Sequence, residues 1–411
     1  MNIGIFEDSG YENLQPLTYL RPTFDLRCGM YLLREKLERY FKDKKIIYFM
    51  RNILKDFFRE KNPGANINTF NTEDILLLNG RALFQETFLE QLKRTNQVKL
   101  FLKNNEVVAA FITKEHLSKL EYHADGTLDF SAFKVTEDVT QNVTLPKYSW
   151  DFIHENPGQI TTDYNTTLNG KTPPSKERPG VFLLHPNQIC ISDTAQVDPG
   201  VVINAEDGPV YIDENAHIFP QATIIGPAYI GKKSLVKIGA KIYEGTSIGE
   251  VCKVGGEVEE SIIHSYSNKQ HDGFLGHAYL GQWVNLGADT NNSDLKNNYG
   301  PVRAYINGKE VDSGSTFVGL TLGDHSKTGI NTMFNTGTVA GIMCNLYGAN
   351  FLPKWIPSFS WGGSEGLVEY NLEKALEVAI KVMERRKITL GEKEQQLIRH
   401  VFEQTKDFRN F

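Results

Sequence analysis

Residues 211–254 read YIDENAHIFPQATIIGPAYIGKKSLVKIGAKIYEGTSIGEVCKV, and the period of this stretch decides the fold of the chain's second half. Ile212, Ile218, Ile224, Ile230, Val236, Ile242, Ile248 and Val254 fall six residues apart without a slip, with Ala216, Ala222, Ala228 and Ala240 between them. Neither a helical period nor strict alternation gives that spacing. A six-residue step with one inward aliphatic describes a coil of short parallel strands, in which about eighteen residues close one turn. The rhythm breaks in 255–270, resumes at Phe274, Leu280 and Leu286, breaks again in 291–315, and returns at Leu322, Thr328, Phe334 and Ala340. Both interruptions read as loops thrown out of the coil, where a rigid solenoid tends to carry its function.

Upstream the texture differs. Apolar runs at 3–6, 45–49, 75–78, 98–102 and 107–112 alternate with helical patterns at 30–41, 51–59 and 84–94, which predicts a parallel, Rossmann-like sheet. Between 156 and 180 the chain turns polar and rich in Pro, Gly, Thr and Lys, the composition of a linker. After 366, Leu372, Ala375, Leu376, Ala379, Val382 and Met383 follow a helical period, so two amphipathic helices are expected to cap or brace the coil's end. The organisation expected is an α/β domain at 1–165, a linker at 166–180, a β-helix at 181–365 and helices at 366–411.

With 411 residues, the chain is long enough for two domains, and it has no apolar run near the ~20 residues of a membrane span. Met1–Asp8 runs into an apolar strand without a basic region or cleavable apolar segment, so a cytoplasmic location is expected. Cys28, Cys190, Cys252 and Cys344 are scattered without zinc spacing and read as buried free thiols. A net charge of −6, with no Lys/Arg run, argues against a nucleic-acid partner.

Residues 268–290 read NKQHDGFLGHAYLGQWVNLGADT. The run resembles the acetyltransferase signature of the bifunctional glucosamine-1-phosphate acetyltransferase/UDP-N-acetylglucosamine pyrophosphorylase family. The segments Phe6-Glu7-Asp8, Leu14-Gln15-Pro16-Leu17-Thr18-Tyr19-Leu20-Arg21-Pro22, Asp25-Leu26-Arg27, Asn79-Gly80-Arg81 and Trp150-Asp151-Phe152 are similar to a divergent bacterial branch of that family, described as sugar nucleotidyltransferases. The resemblance implies an α/β nucleotidyltransferase domain followed by a left-handed parallel β-helix, and a homotrimer of closed cyclic symmetry. It also implies acetyl-CoA as donor to an amino-sugar phosphate or a nucleotide-sugar. His271 would then be the general base, because an attacking amine must lose its proton and an imidazole with pKa about 6.5 can take it. Asn285 would hold the acceptor sugar or the thioester carbonyl, and Ala288 would offer its backbone N–H to the oxyanion or the pantetheine arm.

The chain departs from that pattern in several places. Phe274 stands where the family has a tyrosine, and Tyr243 and Ser261 stand at two cationic positions that grip the sugar phosphate. Two alternatives follow: the acceptor is a different sugar, or its phosphate is held by Arg303, Lys296 or Lys309 of the long loop. In the first domain the Gly-rich triphosphate loop is replaced by Glu7-Asp8-Ser9-Gly10-Tyr11-Glu12-Asn13, and the Mg²⁺-binding aspartate by Arg81. Two readings stay open: Arg21, Arg27, Asn79 and Arg81 rebuild a nucleotide site, or the domain binds a nucleotide-sugar without turning it over. The alternative for Arg21 and Arg27 is a structural salt-bridge pair. Asp151 could supply a metal ligand. Gly323-Asp324-His325-Ser326-Lys327-Thr328-Gly329 lies inside the six-residue rhythm and reads as a coil corner, with His325 on its surface or lining a cleft.

Three functions are therefore carried forward. They are acyl transfer in the β-helix with nucleotidyl transfer in the first domain, nucleotidyl transfer alone with a structural or regulatory β-helix, and a non-catalytic sugar-nucleotide-binding scaffold.

Overall fold

A computed structural model describes residues 1–171 and 178–411. Much of the Pro-rich part of the expected linker, 172–177, lies outside the described residues.

The first domain is built on one seven-stranded sheet. Its order is Thr136–Asp138, Lys99–Lys103, Glu106–Ile112, Ile75–Asn79, Asn2–Phe6, Ile46–Phe49, Asn66–Ile67. The sheet is mixed, not wholly parallel: Glu106–Ile112 runs antiparallel to both its neighbours. The cause is local. Asn104 and Asn105 adopt φ of 50° and 66°, so Lys103 turns directly into Glu106 as a tight hairpin, which asparagine tolerates better than most residues. Helices α1 (Leu33–Tyr40), α2 (Lys55–Lys61) and α3 (Glu86–Lys93) cover the sheet and bury Leu37, Phe58 and Phe88.

A fourth helix, α4 (Ser149–Leu168), runs through the polar stretch read as linker, with Pro157 inside it. Its buried residues include Trp150, Ile153, Asn156, Ile160, Asp163 and Tyr164, a three-and-four spacing in which two positions are polar. The side chain of Asp151 caps it, accepting from the amides of Lys147 at 2.7 Å and Tyr148 at 2.9 Å. That role displaces the expectation that Asp151 serves a metal.

The second half is a three-faced parallel β-helix. The first face runs from Phe182–Leu184 to Phe274–Gly276, the second from Ile189–Ile191 to Trp355–Ile356, and the third begins at Gln196–Val197. Inward residues stack in register, as in Ile203 on Ile224 on Ile242 and Ile212 on Ile230 on Ile248. Midway between the aliphatics, Asn215, Gln221, Lys233, Gly239, Gly245 and Val251 take φ of 56–68°, so every sixth residue turns a corner.

The stretch 255–270 is not a loop. Val258, Ile263 and Lys269 stack under Ile242, Ile248 and Val254, and Ile242 to Val258 spans sixteen residues where Ile224 to Ile242 spans eighteen. The shortened corner is Gly255–Gly256: at Gly256, φ is 71° and an added Cβ would lie 2.7 Å from the His271 carbonyl. The second interruption does leave the coil, as a hairpin of Arg303–Ile306 on Lys309–Asp312.

Helices α5 (Leu372–Glu384) and α6 (Glu392–Gln404) do more than cap. They pack between the third face and the first domain, where Lys61 of α2 pairs with Glu394 at 3.0 Å. One buried cluster runs from Leu54 and Phe58 through Trp283 and Phe359 to Leu397 and Val401, so the two ends of the chain share a core.

Candidate functional site

His271 and Ala288 lie on adjacent coils at the edge where the third face turns into the first, and Asn285 lies on the third face just before that edge. Asn268 and Asn285 are bridged in parallel, their amides 3.4 Å apart, and the Asp289 N–H donates to the Asp272 carbonyl at 3.1 Å. Two successive coils therefore lay their corners together. The His271 side chain is exposed, while its carbonyl accepts from Lys269 Nζ at 2.8 Å. Lys269 occupies an inward position normally held by an aliphatic, and burial lowers its pKa to about 8. Ile330, 69% exposed, lies beside Gly287 at this edge.

Phe274 is close by, just past the corner, but Leu275 is the residue that points inward there; the register is one residue later than the rhythm suggested. Arg303, Lys296 and Lys309 are elsewhere. They leave the coil at the opposite edge of the first face, where Arg303 pairs with Glu310 at 2.7 Å and Lys296 donates to the Pro301 carbonyl. Within one chain they do not flank His271.

Beneath that hairpin lies a second titratable cluster. His277 is 2.8 Å from Asp294, 3.2 Å from Glu260 and stacked on Phe317. Burial would lower its pKa, but hydrogen bonds from both carboxylates outweigh burial and push it up to about 9. A ring held protonated at neutral pH is a fixed cation and a poor base.

Beside the His271 edge, the third face and α5 enclose a groove of about 320 Å³. Lys253, Lys327, Arg385 and Arg386 line it together with Asn268, Gln270 and Asn285, and the stacked pair Tyr266 and Trp283 contributes to its wall. The sequence reading missed these cations because they come from separate coils and a helix end. Their only linear signal is Lys327 in the 323–329 segment. His325 of that segment is 3% exposed and lines a cleft with Arg21, His264 and Glu394, which excludes a surface corner.

In the first domain the strand ends that would face a nucleotide are filled by the chain's own ion pairs. Arg81 is 1% exposed; it donates to both Asp8 oxygens at 2.8 Å and to the Pro146 carbonyl at 2.7 Å, and also pairs with Glu106. Asn79 donates to Asp8 at 2.8 Å. Arg21 pairs with Asp324 of the solenoid at 2.8 Å, and Arg27 is buried against the Met30 carbonyl and the Tyr229 ring. The clamp reading of these arginines is corrected accordingly: their guanidinium groups are engaged within the protein. Nor does the site suit Mg²⁺, since Asp8 and Glu106, its nearest carboxylates, already share Arg81. Among the described residues no group of three or more His, Cys, Asp or Glu is placed to hold a metal, and no helix is long and apolar enough to cross a membrane. All four cysteines are free and buried.

A sugar-nucleotidyltransferase-like sheet domain joined to a hexapeptide solenoid defines the class. Residues 3–172 match the family described as sugar nucleotidyl transferase. The bifunctional protein GlmU of Synechococcus elongatus is 28% identical over 198 residues, covering 43% of this chain and 40% of the relative. The bifunctional sugar-1-phosphate nucleotidylyltransferase/acetyltransferase of Sulfurisphaera tokodaii is 33% identical over 163 residues, covering 39% and 40%. The chain thus spans about two fifths of the length of these relatives. Among solved structures, LpxA from Acinetobacter baumannii aligns with 55% of this chain and 93% of its own at 11% identity, with a TM-score of 0.28. Over these stretches the chain is similar to the bifunctional GlmU proteins and, in its first domain, to the sugar nucleotidyl transferases.

Proposed function

We propose that the chain is an acyltransferase, moving an acetyl group from acetyl-CoA to the amine of a phosphorylated amino sugar, with His271 as general base. What supports this is that adjacent coils lay the corner carrying His271 and Asp272 beside the corner carrying Ala288 and Asp289, with the imidazole exposed. The amine nitrogen attacks the thioester carbonyl as His271 takes its proton, and the C–S bond then breaks to release CoA thiol. The Ala288 N–H stabilises the oxyanion and Asn285 orients the acceptor. The acetyltransferase half of the Sulfurisphaera relative's name supports the reading. A homotrimer, as the family resemblance implies, would bring a neighbouring copy to the exposed Ile330 at this edge.

Sugar nucleotidyl transfer in the first domain is the second reading, supported by the family match over 3–172 and opposed by the Arg81–Asp8 pair. Pyrophosphate release from UTP and a sugar 1-phosphate tests it separately.

For acyl transfer, the measurement is CoA release from acetyl-CoA with glucosamine 1-phosphate, comparing wild type with His271→Ala at matched oligomeric state. A loss of roughly 10²-fold or more is expected. Equal rates, or no release from either protein, would remove His271 from this role.

A further inference from the structure

The groove between the third face and α5 holds positive charge without a local counterweight. Lys253 and Lys327 rise from two coils of the solenoid, Arg385 and Arg386 from the end of α5, and no carboxylate lines the space. Among the described residues none of the four is in an ion pair. Two of them have neutral partners: Arg386 donates to Asn268 Oδ1 at 3.2 Å and Lys327 to the His325 carbonyl at 2.7 Å.

Cations at a helix C-terminus answer the helix dipole, which accounts for the two arginines. It does not account for two lysines from solenoid coils that face the same space. Burial holds the Lys327 amine down to about 8, and burial together with Arg386, Lys237 and Arg385 lowers that of Lys253. Like charges gathered around one groove repel one another unless an anion sits between them.

We propose that this groove is a binding site for a phosphorylated small molecule, whose phosphate oxygens accept from Lys253, Lys327 and Arg386 while the amides of Asn268 and Asn285 fix its orientation. The volume, about 320 Å³, suits a compact ligand or one end of a larger one. A guanidinium fork matches phosphate geometry, and the lysines add point charges. The phosphate could come from a CoA-type nucleotide or from a sugar phosphate. The groove shares Asn285 with the proposed acyl-transfer site, but binding requires no turnover, so it can be tested apart from the role of His271.

The test is calorimetric titration of the full chain with pyrophosphate, CoA and glucosamine 1-phosphate, for wild type, Lys253→Gln/Arg386→Gln and the remote surface variant Arg399→Gln. At least one probe is expected to bind wild type and Arg399→Gln alike, to weaken tenfold or more in the double variant, and to weaken with added salt. Near pH 8, binding should take up protons as Lys327 becomes fully charged, visible as a buffer-dependent enthalpy. The tighter of CoA and glucosamine 1-phosphate identifies the source. Unchanged affinity in a double variant that keeps the wild-type circular dichroism overturns the proposal, as does failure of all three probes to bind at millimolar concentration. A failed binding test with intact CoA release would count against this groove alone.

Discussion

His277 shows how strongly one residue's surroundings can set its state. Glu259 and Glu260 from the preceding coil and Asp294 from the following one surround it, and His154 approaches from α4. With its pKa pushed from the ordinary 6.5 up to about 9, the ring binds a proton in the folded chain that it would release on unfolding at neutral pH. Its stabilisation is therefore fully present below pH 6.5 and lost as pH rises through 9. The gap corresponds to about 3 kcal/mol. Urea unfolding of wild type and His277→Gln should differ by about that amount at pH 6 and converge near pH 10. A difference that does not change with pH would mean that His277 contributes packing only. None of this was legible in the sequence, because Glu260 and Asp294 are 17 residues on either side of His277 and meet it only once the coil period is applied. The same limit hid the groove cations. It also made Arg81 look like a ligand clamp, when its partner Asp8 lies 73 residues away on the neighbouring strand end.

At the scale of elements, what could be read was whatever carried a period. The solenoid's inward aliphatics, the apolar strands of the sheet and the stripes of α5 and α6 are all periodic and all formed. Strand direction carried no period, and the Asn104-Asn105 hairpin signal was passed over. Helix α4 was missed because polar Asn156 and Asp163 interrupt its buried stripe and Pro157 stands inside it. Asn156 is fully buried; its amide donates to the Gly245 carbonyl at 2.7 Å and to Ser247 Oγ at 3.0 Å, and its oxygen accepts from the Gly29 N–H at 2.6 Å. One side chain thus ties the first domain, the helix and the solenoid together. Asn156→Ala leaves the Gly29 N–H and the Gly245 carbonyl unpaired, and should lower stability by about 2–4 kcal/mol. Asn165→Ala, at an exposed position of the same helix, should stay within about 0.5 kcal/mol of wild type. Denaturant midpoints of the two variants check this, and equal midpoints would refute the coupling role of Asn156.

For the whole molecule, the question is whether sheet domain and solenoid are one folding unit, and the Arg21–Asp324 pair is the place to ask it. The partners are 303 residues apart, 2.8 Å from each other, and almost completely buried. Asp324 also accepts from the Gln282 N–H at 2.6 Å, and Arg21 donates to the Leu17 carbonyl at 2.8 Å, so each charge is anchored in its own domain. Burial raises the pKa of Asp324 despite the adjacent guanidinium, meaning that desolvation takes back much of what the attraction gives. Such a pair adds little net stability when whole, yet breaking it strands a charge at the domain boundary. Arg21→Met and Asp324→Leu should therefore each cost about 3–5 kcal/mol, and the double variant should cost less than either single change. The unfolding profile gives a second readout. Wild type should unfold in one transition, since buried cores at both ends of the chain are shared, whereas each single variant should split into a sheet-domain and a solenoid step. Additive losses in the double variant would show that the two charges do not depend on each other, and the domains would then be joined chiefly by α4 and the shared apolar core.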